Sequence, residues 1–479
     1  MRAPGNLDSL FMPRGCAILG ASTDPNKAGH QIVRNMKTAG YPGELYLVNP
    51  RGGQIDGTEF HRSLADIDGT VEMVVWAVPA PFTASGVADL QQRHRRHGDV
   101  RIVVTVAAGF AETGAEEGRR WQDLLVSTCK QLGIRVLGPN CVGVIDTGSG
   151  VDTTFIMGTD LQPGGISFVS QSGAVGAWLV ESWAARPYSV GFNKFVSVGN
   201  MADVSLVEIL DYLREDESTR VVGMYMEGYE QGREMARALE ELGRVKPVVV
   251  LKVGESEHGA RAARSHTGSM AGADRVYDGV FRQVGVRRVR TVGELSATLS
   301  AFDQLPAPEG RNLFVLTQAG GPGIYCTDIL AAGGEVDFAR VSADTRAALR
   351  DVLPPFASVC QPEGHADMTA AASAVQHGQA LETVLRDDAV HAALVLTVPV
   401  LFVPPEAIAR EIIAAHHRLQ DSGIDKPFMP VLLSGDVVEE GRAALAGAGL
   451  MAPERPEDAA RALGHLVAYY RRRRGDVDE

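Results

Sequence analysis

His266 is the side chain in this sequence whose type and setting best suit nucleophilic chemistry. It stands in ARSHTGSMAG, residues 263–272, among small side chains. A neutral imidazole is a good nucleophile near pH 7. The stretch contains no cysteine, carboxylate or second histidine, so it does not predict a metal site. The spacing alone is also typical of an ordinary loop histidine. Whether His266 is a nucleophile or an ordinary loop residue therefore depends on the elements around it.

Three turns rich in glycine and serine would supply binding groups for such chemistry. Each follows an apolar, strand-like run and precedes a helix-like stretch, at residues 18–29, 170–176 and 317–325. The backbone N–H groups and the positive dipole end of a helix start bind anions. The three turns together therefore favour phosphate-bearing ligands, against the alternative that they are only the tight turns of an α/β sheet.

The second and third of these turns carry distinct groups. In SQSGAVG, the hydroxyls of Ser170 and Ser172 either cap the helix or hold a transferring phosphoryl group. In TQAGGPGIY, Gly320 and Gly321 place no side chain where a ligand would approach the backbone closely.

The first turn, ILGASTDPNKAG, does not match a dinucleotide-binding site. Gly20 stands alone where a GxGxxG pattern is needed, and the second strand ends in Asn49 instead of an acid that would hold a ribose. The sequence therefore argues against an NAD-dependent dehydrogenase. Lys27 either reaches a phosphate or is an exposed residue at the helix start.

Apolar runs alternate with amphipathic stretches along the whole chain, which predicts a parallel α/β architecture. At 479 residues the chain is too long for one hydrophobic core. We expect three units, of residues 1–150, 151–305 and 311–479, with PAPEG at 306–310 as a linker.

The composition excludes several classes of protein. A net charge of −13 argues against general binding to nucleic acid or to an anionic membrane. No apolar run is long enough to predict a membrane span, and the N-terminus lacks the apolar core of a signal peptide. The five scattered cysteines suit a reducing cytoplasm and predict neither a disulfide framework nor a metal site.

Several long motifs fall in the order typical of one enzyme family. They are GASTDPNKAGHQIVRNMKTAGYPGELYLVNP, LGPNCVGVI, SFVSQSGAVG, VSVGNMADVSLVEILDYL, KPVVVLKVGESEHGARAARSHTGSMAGADRVYDGVFRQVGVRRV and TQAGGPGI. With these motifs the chain resembles the α subunit of NDP-forming (ADP-forming) acyl-CoA synthetases, in the superfamily of succinyl-CoA synthetase. The resemblance begins at about Arg14 and weakens after about Leu353.

The resemblance implies a fold and a set of site residues. Residues 1–150 would form a Rossmann-like CoA-binding domain, and residues 151–305 and 311–479 would form two flavodoxin-like domains. His266 would be phosphorylated transiently, and Glu227, at a strand end, would hold it. The phosphoryl group would lie between two helix starts, at Ser170, Ser172, Gly173, Gly320, Gly321 and Gly323. The CoA contacts would be Gly20, Ser22, Lys27, Asn49, Val78 and Glu112.

The resemblance also implies a reversible reaction that interconverts carboxylate, CoA and ATP with acyl-CoA, ADP and phosphate. ATP would phosphorylate His266, the phosphoryl group would pass to the carboxylate, and CoA would attack the resulting acyl phosphate. No segment after Leu305 resembles an ATP-grasp domain, so a separate ATP-grasp β subunit would supply ATP and Mg²⁺. The partners would be this β subunit and a small carboxylic acid.

One segment departs from the family. Where many members carry NPVD, this chain has CQPEGHADMT at residues 360–369. Gln361 and Pro362 would replace the Asn-Pro pair, and Asp367 would be a displaced acid. His365 is expected to be an exposed loop histidine, with a place in an altered substrate pocket as the alternative. The departure motivates a second hypothesis for the chain, a CoA-binding or acyl-CoA-binding regulatory protein that has lost catalysis.

Overall fold

Residues 7–185, 191–261 and 274–475 are described by a computed structural model. The described residues divide into two units, one up to residue 288 and the other from residue 289. In the described ranges, no helix is long and apolar enough to cross a membrane.

The first unit begins with a mostly parallel sheet. Its strands are β1 (Gly15–Leu19), β2 (Glu44–Val48), β3 (Gln54–Ile55), β4 (Thr58–His61), β5 (Met73–Trp76), β6 (Ile102–Thr105) and β7 (Arg135–Leu137). The helices are α1 (Asp8–Phe11), α2 (Ala28–Thr38), α3 (Thr83–Arg96) and α4 (Glu116–Gln131). The strand order is β3-β4-β2-β1-β5-β6-β7, with β1 parallel to both β2 and β5. The connections therefore reverse direction at β1, and α/β sheets bind ligands at the carboxyl ends of such strands.

The second sheet of the first unit carries the serine turn. Its strands are β8 (Val144–Asp146), β9 (Val151–Asp152), β10 (Pro163–Ser170), β11 (Phe192–Ser197), β12 (Val221–Met226), β13 (Val248–Lys252) and β14 (Arg287–Val289). The helices are α5 (Gly173–Ala184), α6 (Leu206–Glu215), α7 (Gly232–Gly243) and α8 (Asp274–Val284). The order is β14-β13-β12-β10-β11-β8-β9, and β10 pairs in parallel with β11 and β12.

The hairpin of β8 and β9 lies where the sequence predicts the first domain to end. β8 pairs antiparallel with β11, so both hairpin strands belong to the second sheet. The predicted boundary at residue 150 falls inside this hairpin. The glycines at 148 and 150 lie in the hairpin turn.

Helix α6 shows how the sequence specifies these elements. The Ser205 hydroxyl accepts the N–H of Glu208 at 3.2 Å, and the Glu208 carboxylate accepts the N–H of Ser205 at 2.9 Å. This reciprocal cap typically stabilises a helix start by about 1 kcal/mol. The buried side chains recur at helical spacing on one face, at Leu206, Ile209, Leu210 and Leu213.

A core of buried apolar side chains continues through both sheets of the first unit. Phe11 of α1 stacks on Tyr212 of α6 with ring centroids 4.9 Å apart. Fully burying one such side chain stabilises the fold by about 1.5–3 kcal/mol. The strand ends of the first unit therefore stand on a frame with one continuous apolar core.

The second unit contains one further sheet. Its strands are β15 (Asn312–Thr317), β16 (Asp337–Phe338), β17 (Ser358–Val359), β18 (His365–Asp367), β19 (Ala392–Thr397) and β20 (Phe428–Leu432). The helices are α9 (Val292–Gln304), α10 (Gly320–Gly333), α11 (Ala343–Val352), α12 (Ala374–Leu385), α13 (Pro405–Asp421), α14 (Glu439–Gly447) and α15 (Pro456–Arg474). Short 3₁₀ helices elsewhere in the chain cover Leu64–Asp66, Ala80–Phe82, Ala111–Thr113 and Asp436–Val438. The order is β17-β18-β15-β19-β20, with β16 beside β15 and most pairs parallel. The predicted parallel α/β class is confirmed.

Asp152 gives the frame of the first unit a dependence on pH. Its side chain is buried and accepts hydrogen bonds from the N–H and hydroxyl of Thr154 and from the hydroxyl of Thr159. Burial raises the pKa of Asp152 to about 6, although these hydrogen bonds oppose the shift. The folded form therefore keeps a proton that the unfolded carboxyl loses near pH 4. Asp152 accordingly destabilises the fold as the pH rises from about 4 to about 6, and the cost stays constant above that.

Asp152→Asn is expected to unfold at a higher temperature than the wild type at pH 7.5, because the neutral amide removes this cost. The shift of about two pKa units corresponds to at most about 3 kcal/mol. At pH 4 the two proteins should unfold within a few degrees of each other. Thermal unfolding at both pH values measures the effect, and a stability difference that does not grow with pH would contradict it.

Candidate functional site

The turn after β10 places a helix start at the carboxyl edge of the second sheet. The buried Ser170 hydroxyl donates to the Ser172 carbonyl at 2.6 Å, and the Ser172 hydroxyl accepts the N–H of Val175 at 3.3 Å. A Cβ at Gly173 would approach the Val142 side chain to 2.7 Å, so the close approach there requires glycine. Both hydroxyls shape and cap the turn, and α5 brings the positive end of its dipole to this edge.

Glu227 stands beside this turn, directly after β12, and is 5% exposed. Gln171, between the two serines, holds its backbone. The Gln171 Oε1 atom accepts the N–H of Glu227 at 2.6 Å and the N–H of Gly228 at 3.2 Å. The Gln171 Nε2 atom donates to the Gly228 carbonyl at 2.7 Å. The structure therefore brings the predicted glutamate and the predicted serine turn together.

Lys252 is a buried cation at the carboxyl edge of the second sheet. It was not among the site residues predicted from the sequence. It ends β13 opposite Met226, the last residue of β12, and is 2% exposed. Its ammonium donates to the Val253 carbonyl at 2.5 Å and lies 4.6 Å from the ring centroid of Tyr277. Burial lowers the pKa of Lys252, and the carboxylate of Asp274 opposes that shift. A lysine at the end of an otherwise apolar strand was a usable sequence signal.

Arg288 binds carboxylates on both sides of residues 262–273, which include His266. Its guanidinium lies 2.9 Å from Glu255, 2.7 Å from Asp274 and 2.5 Å from Asp278. Its side chain is 7% exposed, whereas that of Glu255 is 43% exposed, so the pairs with Asp274 and Asp278 are better shielded from water than the pair with Glu255. His266 itself lies outside the described residues. The residues before and after the segment 262–273 thus form ion pairs with the same arginine.

The turn after β15 repeats the serine turn within the second unit. The Thr317 hydroxyl donates to the Ala319 carbonyl at 2.6 Å, as the Ser170 hydroxyl donates to Ser172. The Gln318 side chain corresponds to Gln171, since its Oε1 atom accepts the N–H of Val398 at 3.2 Å.

The register of the neighbouring strands extends this repeat. The Gln171 N–H donates to the Tyr225 carbonyl, and the Gln318 N–H donates to the Leu396 carbonyl. Two residues after Tyr225 the chain has Glu227, and two residues after Leu396 it has Val398. The second unit therefore has the same framework without the carboxylate.

The glycines of the turn after β15 differ from one another in their surroundings. A Cβ at Gly320 would lie 3.1 Å from an oxygen of Asp367, and one at Gly323 would lie 2.7 Å from His365 Nε2. Apart from its chain neighbours and the backbone of its own helix turn, no described atom lies within 4 Å of a Cβ built at Gly321. Gly323 is therefore needed for packing, and Gly321 leaves open space at the helix start.

The prediction that His365 is an exposed loop histidine is wrong. The residue lies in β18, opposite Val315 of β15, and is 6% exposed. Burial lowers the pKa of its imidazole, and the neighbouring Asp367 opposes that shift. Within the described ranges, neither ring nitrogen has a hydrogen-bond partner. The strand is only three residues long and depends on pairing with a distant segment, so local patterning did not reveal it.

Gly20, Asn49 and Val78 meet at the carboxyl ends of β1, β2 and β5. The Asn49 side chain donates to the Ala21 carbonyl at 2.7 Å. Gly20 has φ +98°, and a Cβ there would lie 2.9 Å from the Ala77 carbonyl carbon and 3.3 Å from Val78. The structure thus brings together three predicted CoA contacts at the place where the sheet connections reverse.

Ser22 and Lys27 lie in the turn that leads to α2. The Ser22 hydroxyl accepts the N–H of Asp24 at 3.1 Å. Lys27 is exposed and directly precedes the helix, so its cation adds to the positive helix start. These groups fit a phosphate-bearing ligand such as CoA.

Glu112 lies on a separate turn, after β6. Its Oε1 atom accepts the N–H groups of Gly109 at 2.6 Å and of Phe110 at 3.1 Å. Its Oε2 atom accepts the Asn200 amide at 2.7 Å. The carboxylate therefore holds its own turn and joins it to the segment after β11.

Three protein-family domains match the chain in order. They are a CoA binding domain over residues 14–147, a succinyl-CoA ligase like flavodoxin domain over 163–302 and a Ligase-CoA domain over 313–476. Subunit alpha of the ADP-forming acetate–CoA ligase II of Pyrococcus furiosus is 36% identical over 463 residues, which are 96% of this chain and 97% of that protein. The chain belongs to the ADP-forming acyl-CoA synthetase family. The resemblance found in the sequence is confirmed.

Two further members of this family are similar to the chain over nearly its whole length. The ADP-forming acetate–CoA ligase I of Archaeoglobus fulgidus is 34% identical over 97% of this chain and 64% of that longer protein. The acetyl-coenzyme A synthetase 1 of Ca. Korarchaeum cryptofilum, solved in complex with phosphate and ADP, superposes with a TM-score of 0.88. It is 32% identical, and the match covers 98% of both chains. The predicted fold, a CoA-binding domain followed by succinyl-CoA ligase-like domains, is confirmed.

Proposed function

We propose that this chain is the α-type subunit of an ADP-forming acyl-CoA synthetase that acts through a phosphohistidine at His266. It interconverts carboxylate, CoA and ATP with acyl-CoA, ADP and phosphate. The observation that carries the proposal is the juxtaposition of buried Glu227 with the capped helix start at Gly173, in a chain that belongs to this family.

The phosphoryl group moves in two transfers in this proposal. The His266 imidazole attacks the γ-phosphorus of ATP, and ADP leaves. A carboxylate oxygen of the substrate then attacks the phosphorus, which breaks the P–N bond and gives an acyl phosphate. The CoA thiolate attacks the acyl carbon, and inorganic phosphate leaves. Each transfer is reversible, so the same residues serve ATP synthesis from acyl-CoA.

Glu227 and the helix start have separate roles in these transfers. The Glu227 carboxylate accepts a hydrogen bond from one imidazole nitrogen, which leaves the other nitrogen free to attack. The N–H groups at the start of α5, in the turn built by Ser170, Ser172 and Gly173, stabilise the negative charge of the phosphoryl group. The proposed phosphate contacts of the second unit are Gly320, Gly321 and Gly323, with open space at Gly321.

The first sheet is proposed to bind CoA, which supplies the thiol. The proposed CoA-binding surface lies at the strand ends and includes Gly20, Asn49 and Val78. Lys27 lies at the start of the adjoining helix α2. Ser22 lies in the same turn as Lys27. For Glu112 the hydrogen bonds to its own turn support a positioning role beside this surface.

An ATP-grasp β subunit is proposed to supply ATP and Mg²⁺. The Pyrococcus relative is named a subunit alpha, and the Archaeoglobus relative extends well beyond the matched part. In the described part of this chain, no cluster of three or more side chains is arranged to hold a metal. All five cysteines are described, buried and unbridged, which supports a reducing cytoplasm as the compartment.

The purified chain is expected to consume no ATP by itself and to form acyl-CoA once an ATP-grasp subunit of this family is added. A screen of acetate, branched, aryl and dicarboxylic acids, followed by detection of acyl-CoA and ADP, measures both. If this chain and the ATP-grasp subunit together bind CoA but form no acyl-CoA from any of these acids, the result would support the regulatory alternative. That alternative is not favoured by the relatives, which are named as ligases.

A further inference from the structure

The Gln171 amide makes directional contacts at both of its ends, and all of them are to the backbone around Glu227. The oxygen accepts two successive N–H groups, and the nitrogen donates to the carbonyl of Gly228. Gln171 is 8% exposed, so water competes weakly for these bonds. Its own N–H donates to the Tyr225 carbonyl at 3.2 Å. The backbone is thus fixed on both sides of Glu227.

The second unit has a corresponding glutamine, Gln318, beside Val398 instead of a glutamate. There the Gln318 oxygen accepts one N–H, that of Val398. The Gln318 Nε2 atom is buried and has no partner among the described residues. The glutamine is therefore a shared part of the framework, and only in the first unit are both ends of the amide engaged around an acidic residue.

We propose that Gln171 is a positioning residue that sets the direction of the Glu227 carboxylate toward His266. This inference rests on the proposed function of Glu227 and His266. Gln171 sits in the turn that would bind the phosphoryl group, and it holds the strand end that would orient the nucleophile. The Gln171 side chain thereby connects the turn that would bind the phosphoryl group to the strand end that carries Glu227.

Removing the amide should displace Glu227 without removing it. A displacement of about 1 Å in a reacting arrangement can cost about 100-fold in rate. Gln171→Met keeps a side chain of similar length but loses all three bonds. We expect its His266 to be phosphorylated about tenfold more slowly.

The rate is measured in single turnovers with labelled ATP, the whole chain and an ATP-grasp subunit of the family. Gln376→Met is the matched control. The Gln376 side chain also bridges backbone groups, accepting the Ser373 N–H at 2.8 Å and donating to the Val352 carbonyl at 2.7 Å. It lies in α12, outside the proposed site, and its variant should label at the wild-type rate.

A double-mutant comparison separates positioning from general stability. If Gln171 acts through Glu227, adding Gln171→Met to Glu227→Gln should slow labelling by less than about twofold. The same tenfold loss in both backgrounds would overturn the inference, as would a wild-type rate in Gln171→Met alone. Should Gln171→Met be insoluble, Gln171→Glu, which keeps the acceptor for both N–H groups, is compared in the same two backgrounds.

The pH profile gives a second readout that a purely structural role would not change. A carboxylate near an imidazole raises the imidazole pKa, so a displaced Glu227 should move the acid limb of the labelling rate to lower pH. If His266→Asn labels like the wild type, the proposed function fails. If it blocks labelling while Gln171→Met has the wild-type rate and profile, only the role of Gln171 fails.

Discussion

His266→Asn is expected to abolish incorporation of labelled phosphate from ATP into this chain in the presence of an ATP-grasp subunit. The asparagine amide is not a nucleophile, so neither the phosphohistidine nor the acyl phosphate can form. Acyl-CoA synthesis should fall to background, a loss of at least about 10⁴-fold, as is usual when a covalent nucleophile is removed. Binding of CoA to the first sheet should be unchanged.

His258→Asn is the control for this result. His258 is an exposed histidine eight residues before His266, and its imidazole lies 3.0 Å from the Arg261 guanidinium. It should label fully. Equal labelling of the wild type and His266→Asn would contradict the proposed function.

Glu227→Gln is expected to slow phosphorylation of His266 by about 100-fold or more, which is within the usual range for the loss of a positioned acid–base group beside a nucleophile. The variant keeps the shape of the side chain but removes its charge. The imidazole pKa should fall, because the nearby carboxylate no longer stabilises the imidazolium form. The acid limb of the labelling rate should therefore move to lower pH.

Glu294→Gln provides a matched comparison in the second unit. Glu294 is 4% exposed and lies 3.1 Å from the His465 imidazole, so it too is a buried glutamate paired with a histidine. Its variant should change stability but leave labelling at the wild-type rate. If Glu227→Gln labels as fast as Glu294→Gln, then Glu227 does not orient His266.

The fold could be predicted where apolar patterning is long and local. The buried runs of β1, β10, β13 and β15 are visible in the sequence, as are the glycine turns that follow three of them. Short strands were missed because their stability comes from distant partners. His365 belongs to a three-residue strand paired with β15, and the domain boundary predicted at residue 150 falls inside the hairpin of β8 and β9.

The candidate site was predictable only in part. His266 and Glu227 stand in recognisable family motifs, and the structure brings Glu227 to the predicted serine turn. The contacts of Gln171 join residues 56 positions apart, and those of Arg288 reach back 33 positions to Glu255. Nothing in the local sequence of a glutamine or an arginine reveals such partners. These contacts therefore became visible only in three dimensions.

The most direct test of the proposed phosphohistidine mechanism is to identify the labelled residue and follow the label. The chain is phosphorylated by an ATP-grasp subunit and labelled ATP, freed of nucleotide, and then exposed to carboxylate and CoA. We predict acid-labile phosphate on His266 in peptides mapped at neutral or alkaline pH. That label should disappear as an equal amount of acyl-CoA and free phosphate forms. Phosphate on another residue, or label that stays on the chain while acyl-CoA accumulates, would contradict phosphoryl transfer through His266.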